Sequence, residues 1–528
     1  MQRRVLVGCT LLLCAVSYWM VGRSPGADVI PDPPSSPPPV VSEAVKARLD
    51  ALLDDLRLAQ VQLGVEVRDC EADQAVYARQ PDLLLNPASN LKLLTTAVAL
   101  DTLGPAFRFK TDVLYDGTLT DGVLKGNLYL KGRGDPELVY EELWKLVKEL
   151  QALGLRRVEG DIVADDSYFE QERNIRGWSQ EVEEGDTQAY NPPLGALSVS
   201  FNTVALLVRP GERVGAPASI GMETPTRYVA LDNRVTTGKP RASLSVSFQR
   251  RREGSQEILQ ADGRIPSSLR YKRYYRTITD PPAFAVSLFR ELLEKEGVQV
   301  LGGERVGVAP ESASFLHAAY SSSLDMLMKY MNKLSSNFIA EHALKAVGAK
   351  VYGLPGTTEN GLNVARTYLS KAGLPWESAV LMNGSGLSLE TRVSTHQFAT
   401  LLCHAKKDFV SGAELIASLP ISGIDGTLRN RMKDTPAQGR VRAKTGSVRG
   451  VFGFSGYVET LSGKTLAFSF LVNDITRELG RVRATQDRFM SVLVQGDEAD
   501  SGGGAPVSEV ASTPDEGSEG SSSAETPR

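Results

Sequence analysis

The chain has 528 residues, 42% hydrophobic and 23% charged, with a formal net charge of -4. That is the composition of a globular protein large enough for two to four domains, and it excludes the basic footprint of a nucleic-acid binder. Cys9 and Cys14 fall in an N-terminal apolar run, leaving Cys70 and Cys403 far apart in the body, with neither a disulfide framework nor a zinc spacing. A bridge between those two stays open, but two buried free thiols are the expectation. The four histidines make no metal-binding pattern. Catalysis is expected without a histidine dyad, a metal or a cofactor.

Residues 1–27 read as an export signal: Arg3 and Arg4 precede the apolar run Val5 to Val21. Ala15-Val16-Ser17 offers a cleavage site, and the run offers a membrane anchor if it is retained. Leu6-Val7-Gly8-Cys9 has the local form of a lipoprotein box, after too short an apolar stretch. Residues 28–41 are a Pro/Ser-rich spacer, and residues 496–528 are a tail too poor in apolar groups to fold. Between them lies the folded body.

An amphipathic helix is expected over Ala44 to Leu58, then a strand pair over Gln62 to Tyr77. A helix follows from Ser89 to Leu103, ending at Gly104-Pro105. Ser89 and Lys92 are three residues apart, hence on one helical face. A hydroxyl beside an amine at a helix start is a candidate nucleophile and base, although Ser-x-x-Lys alone is a weak signal.

Residues 107–275 change in texture. Short alternating runs separated by Gly and Asp point to one or two inserted β-rich domains, with one clear helix over Pro136 to Leu153. Residues 276–495 return to helices: Phe284 to Glu296, Leu324 to Leu334, Phe338 to Val347, Thr358 to Lys371 and Thr395 to Lys407. Strands close the body at Arg440 to Ser447, Val451 to Thr460 and Thr465 to Val472, before a helix over Ala484 to Val494. If residues 42–106 and 276–495 form one domain, the fold is α+β, an antiparallel sheet flanked by helices.

Two more short motifs lie in this second half. Ser335-Ser336-Asn337 sits between two helices, and Lys444-Thr445-Gly446-Ser447 sits on the first closing strand. Singly, each reads as a cap or a strand end. Together with Ser89-x-x-Lys92, in this order, they resemble the three signatures of penicillin-interacting serine acyltransferases. The separation of 246 residues from Ser89 to Ser335 narrows the resemblance to the D-alanyl-D-alanine carboxypeptidase/endopeptidases of low-molecular-mass class C, which carry domains inserted between the first two motifs. Asn383-Gly384-Ser385-Gly386-Leu387-Ser388 and Gly423-Ile424-Asp425-Gly426-Thr427-Leu428 also match that family's habits. Asn383 and Leu389 depart from it, where Asp and Arg are common, as does Ser336, where Asp is common.

The resemblance implies a penicillin-binding, β-lactamase-like transpeptidase domain acting on peptidoglycan peptides, with β-lactams as inhibitors. It implies Ser89 as nucleophile, Lys92 as base, Ser335 as proton relay and Asn337 as the residue holding Lys92 and the substrate amide. The N–H groups of Ser89 and Ser447 would form the oxyanion hole. Lys444, Thr445 and Gly446 would bind substrate, and Asp165 would reach the amine of its side chain. Two alternatives stay open: a β-lactamase or esterase of the same fold, which needs a deacylating base that the motifs do not supply, and a catalytically silent cell-wall binding protein, which has no need of the intact motifs.

Overall fold

The computed structural model describes residues 41–56, 61–178, 192–254, 256–374, 378–475 and 479–496. The expected export signal, nearly all of the expected spacer and nearly all of the expected tail lie outside them. The body opens with a helix over Glu43–Asp55, whose N-terminus is capped by the Ser42 hydroxyl accepting from the Val45 N–H. Val45, Leu49 and Leu53, four residues apart, are its buried stripe.

A five-stranded antiparallel sheet unites the two ends of the chain. Its order is Gln74–Arg79, Gln62–Asp69, Thr465–Asn473, Val451–Glu459 and Val441–Val448. Leu466, Phe468, Phe470 and Val472 pack on one face with the first and last helices. Ala467 and Leu471, at the alternate positions, face the helical block. The helix Lys92–Leu103 runs through that block, buried from Lys92 to Leu100. A core on both faces is why the sheet's central strands are apolar at almost every position.

The inserted region extends further than its sequence texture indicates. The helix Pro281–Lys295 buries Phe284, Leu288 and Phe289 in one core with Val113, Leu128 and Ile162 of the insert. Glu304–Val306 pairs parallel with Ile162–Ala164, and Ser314–Ser323 pairs antiparallel with Arg108–Tyr115. The chain leaves and re-enters the domain built on the five-stranded sheet side by side, where the Leu324 N–H donates to Phe107 O at 2.8 Å. The residues expected from 276 onward to belong to that domain thus pack and pair with the insert as far as Ser323. Helical periodicity marks a buried face but not which core buries it.

The expectation of free thiols is also corrected. Cys70 and Cys403 form a disulfide, with Cα atoms 4.9 Å apart. It ties the end of a strand to the helix Thr395–Lys407, a proximity hidden by a separation of 333 residues.

Candidate active site

Ser89 stands in a 3-10 turn, Ala88–Leu91, that leads directly into the helix Lys92–Leu103. Ala88 has φ +46°, a strained value for a non-glycine residue. Asn86 holds the turn: its Oδ1 accepts from the Ala88 N–H at 2.8 Å, and Asn473 clasps its backbone from the sheet. The turn lies close against the strands Val441–Val448 and Val451–Glu459. A Cβ on Gly446 would stand 2.7 Å from Pro87 O and 3.1 Å from Ser89 N, and one on Gly453 would meet Asn90 at 2.9 Å. Only glycine fits at these two points.

Lys92 is fully buried and points at three oxygens. Its Nζ lies 2.9 Å from Ser89 Oγ, 2.8 Å from Asn337 Oδ1 and 2.7 Å from Ser385 O. Burial pushes its ammonium well below the ordinary lysine range; Lys444 pushes the same way, and Glu341 opposes. A depressed amine beside a hydroxyl can take the hydroxyl proton.

The junction of two helices aims the second motif. Ser335 ends the helix Leu324–Leu334 in the left-handed conformation, at φ +60°, and Ser336 caps the helix Asn337–Tyr352 by accepting from the Ile339 N–H. This turn sends Ser335 Oγ to Lys444 Nζ at 2.9 Å and Asn337 to Lys92. Lys444 is fully buried too, and burial lowers it to about 7.

The strand Val441–Val448 is an edge of the sheet. Its Val441 and Ala443 N–H groups turn away from the neighbouring strand, to Ser422 Oγ and Pro420 O. Strand alternation puts the N–H groups of Thr445 and Ser447 on that same outer edge. Thr445 Oγ1 lies 2.8 Å from Thr427 Oγ1. The site thus offers a serine hydroxyl, two buried amines and an edge on which an extended peptide can pair.

Asp165 does not join it. Its carboxylate is fully buried inside the insert, where it accepts from Lys131 Nζ at 2.8 Å, from Ser167 and from the Ala309 N–H at 2.9 Å. Burial alone would raise its carboxyl, but these donors hold it below the usual carboxylate range. A carboxylate saturated in this way has no free face for a substrate amine, so the expected contact is corrected to a structural role.

Several residues at the site were not anticipated. Glu341, fully buried, accepts from the N–H groups of Gly384 at 2.9 Å and Ser385 at 2.8 Å. It thereby fixes the carbonyl that receives Lys92. Trp178 Nε1 donates to Ser385 Oγ at 3.2 Å. Asn383 does locally what an Asp would do, its Oδ1 accepting from the Gly386 N–H at 2.9 Å. Glu341 follows Asn337 by one helical turn, a spacing visible in the sequence; Trp178 has no such signal. Among the described residues, no group of His, Cys, Asp and Glu could hold a metal ion.

The family model of the D-Ala-D-Ala carboxypeptidase 3 (S13) family matches residues 45–492. The chain belongs to this family. A D-alanyl-D-alanine carboxypeptidase of Actinomadura sp. (strain R39) is 35% identical over 457 residues, 82% of this chain and 83% of the relative. D-alanyl-D-alanine carboxypeptidase DacB of Haemophilus influenzae is 26% identical over 420 residues, 78% of this chain and 85% of its own. The crystal structure of penicillin binding protein 4 (dacB) from Haemophilus influenzae has the same fold, with a TM-score of 0.74 at 24% identity, covering 84% of this chain and 98% of that one. The S13 chain described here is therefore a serine peptidase with an α+β fold shared with penicillin binding protein 4.

Proposed function

We propose that this protein removes or cuts at D-alanine in peptidoglycan stem peptides through an acyl-enzyme on Ser89, acting as a carboxypeptidase and as a DD-endopeptidase outside the cytoplasm. The observation that carries this reading is the 2.9 Å contact between Lys92 Nζ and Ser89 Oγ, made by an amine whose burial favours the neutral form.

Neutral Lys92 takes the Ser89 proton as Oγ attacks the carbonyl between the two D-alanines. The negative charge on the carbonyl oxygen is received by the N–H groups of Ser89 and Ser447, each such donor contributing about 3 kcal/mol. The proton passes through Ser335 Oγ to the leaving amine, and the C–N bond breaks. Water then attacks the ester, returns the proton and frees Ser89. Lys444 and Thr445 hold the terminal carboxylate, which in turn stabilises the Lys444 ammonium. A β-lactam enters by the same attack and leaves slowly. Residues 1–27 export the chain, and their apolar run anchors it if retained.

The test is Ser89→Ala. It should abolish hydrolysis of a soluble peptide ending in D-Ala-D-Ala, by about a thousandfold or more, and abolish covalent labelling by a fluorescent penicillin. In wild-type protein a mass spectrum should map the adduct to Ser89. An adduct elsewhere, or labelling that survives the substitution, refutes the reading.

A further inference from the structure

We propose that the far end of the β-rich part of the insert spanning residues 203–280 is a docking surface for an anionic lipid bilayer. Residues 203–280 hold fourteen Arg and Lys against seven Asp and Glu, in a chain whose acidic residues outnumber its basic ones by 63 to 59. The surplus is concentrated further. Three segments, 209–217, 236–245 and 264–273, contain eight cations and one carboxylate, Glu212.

These segments meet at one end of the unit. The Gly211 N–H donates to Thr237 Oγ1 at 2.7 Å and the Gly215 N–H to Thr237 O at 2.8 Å. The Ser267 N–H donates to Gly238 O, and the Ser245 N–H to Arg264 O, both at 3.0 Å. Arg209 and Arg213 stand on the first segment, and Lys239 and Arg241 on the second. Arg264, Arg270 and Lys272 stand on the third. All but half-buried Lys272 are exposed. Arg273 is paired with Glu223, whereas the other seven cations have no carboxylate partner among the described residues.

Such a cationic end would attract any polyanion. The side chains between the cations select lipid. Val214 is 52% exposed, Leu244 40% and Tyr271 46%, one on each of the three segments. Scattered single apolar residues mean little. Three such groups, one on each of the segments that these hydrogen bonds join, suit the boundary between headgroups and acyl chains, where guanidinium and ammonium meet phosphate and the apolar groups enter below. This end is also separated from the Ser335-Ser336-Asn337 motif by the length of a strand. At the unit's base Phe201 packs on Phe338, ring centroids 5.7 Å apart, beside Asn337. The strand Thr203–Arg209 then runs about 20 Å away. Docking there leaves the catalytic edge open to the wall.

The test is site-resolved hydrogen exchange on the full chain, with vesicles of phosphatidylcholine containing phosphatidylglycerol and with vesicles of phosphatidylcholine alone. Site resolution separates these segments from any binding by the N-terminal apolar run. Exchange should slow in all three segments on the anionic vesicles only, and high salt should reverse it. A variant carrying Arg213→Glu, Arg241→Glu and Arg270→Glu should lose that protection, with binding weakened about a hundredfold or more, since each cation near an anionic surface is worth about fivefold. Val214→Ser with Leu244→Ser and Tyr271→Ser should also weaken it. Both variants should hydrolyse a soluble D-Ala-D-Ala peptide at the wild-type rate, which shows that they fold and keeps this proposal separate from the catalytic one. Equal protection by both vesicle types, protection by purified peptidoglycan but not by vesicles, or wild-type binding by the charge-reversed variant would each overturn it.

Discussion

Replacing Glu341 with Gln tests how the base is held in place. The carboxylate accepts from two backbone N–H groups, Gly384 on one oxygen and Ser385 on the other. Burial raises its carboxyl, but two facing donors require an acceptor-only group, so the ionised form fits the geometry. A Gln amide keeps one acceptor and turns its NH2 toward the second N–H. One charge-assisted hydrogen bond is lost and a buried donor is left unpaired, at about 1.5–3 kcal/mol. The Ser385 carbonyl then moves from its 2.7 Å contact with Lys92 Nζ. If that whole cost appears in the transition state, acylation falls about 10- to 150-fold.

The charge acts in the opposite direction. Glu341 raises the Lys92 ammonium, so its removal lowers it further and enlarges the neutral fraction. Stopped-flow acylation by a fluorescent penicillin, followed across pH, should show a lower plateau with its acid limb moved to lower pH. An unchanged plateau, or an acid limb moved to higher pH, refutes the positioning role. A plain loss of folding would depress the plateau without moving the limb.

Three more outcomes follow from the geometry. Burial lowers Lys444 to about 7, so kcat/KM for a peptide with a terminal carboxylate should fall as pH rises through that value; a substrate amidated at that end should not share this alkaline limb. Gly446→Ala puts a methyl 2.7 Å from Pro87 O and should slow acylation at least about tenfold while destabilising the fold by about 1–3 kcal/mol; an unaltered acylation rate would show that the Ser89 turn yields freely. Replacing Cys70 and Cys403 together by Ala should destabilise the fold by about 2–5 kcal/mol, because the bridge closes a loop across most of the chain, and a melting temperature equal to wild type would contradict this.

The short-range parts of the site were legible in the sequence. Ser89 and Lys92 share a face because helical geometry alone puts residues three apart together, and the turn at Ser335-Ser336 and the edge strand at Lys444 carry their own local signals. The α+β class was legible for the same reason, since each element's apolar period is written within about ten residues. What required tertiary structure was everything decided by burial and by long-range pairing. Helix Pro281–Lys295 packs on the insert, and its amphipathic pattern is the same whichever core receives it. Asp165 looks like any turn carboxylate until Lys131 and Ala309 enclose it. The Cys70–Cys403 bridge, Glu341 beneath Ser385 and Trp178 on the Ser385 hydroxyl each join residues far apart in the chain or separated by a core. Most of all, the protonation of Lys92 is not a property of its sequence neighbours. It is set by the exclusion of water and by Lys444, which lies 352 residues downstream and reaches the same cavity only because the last three strands close onto the first two.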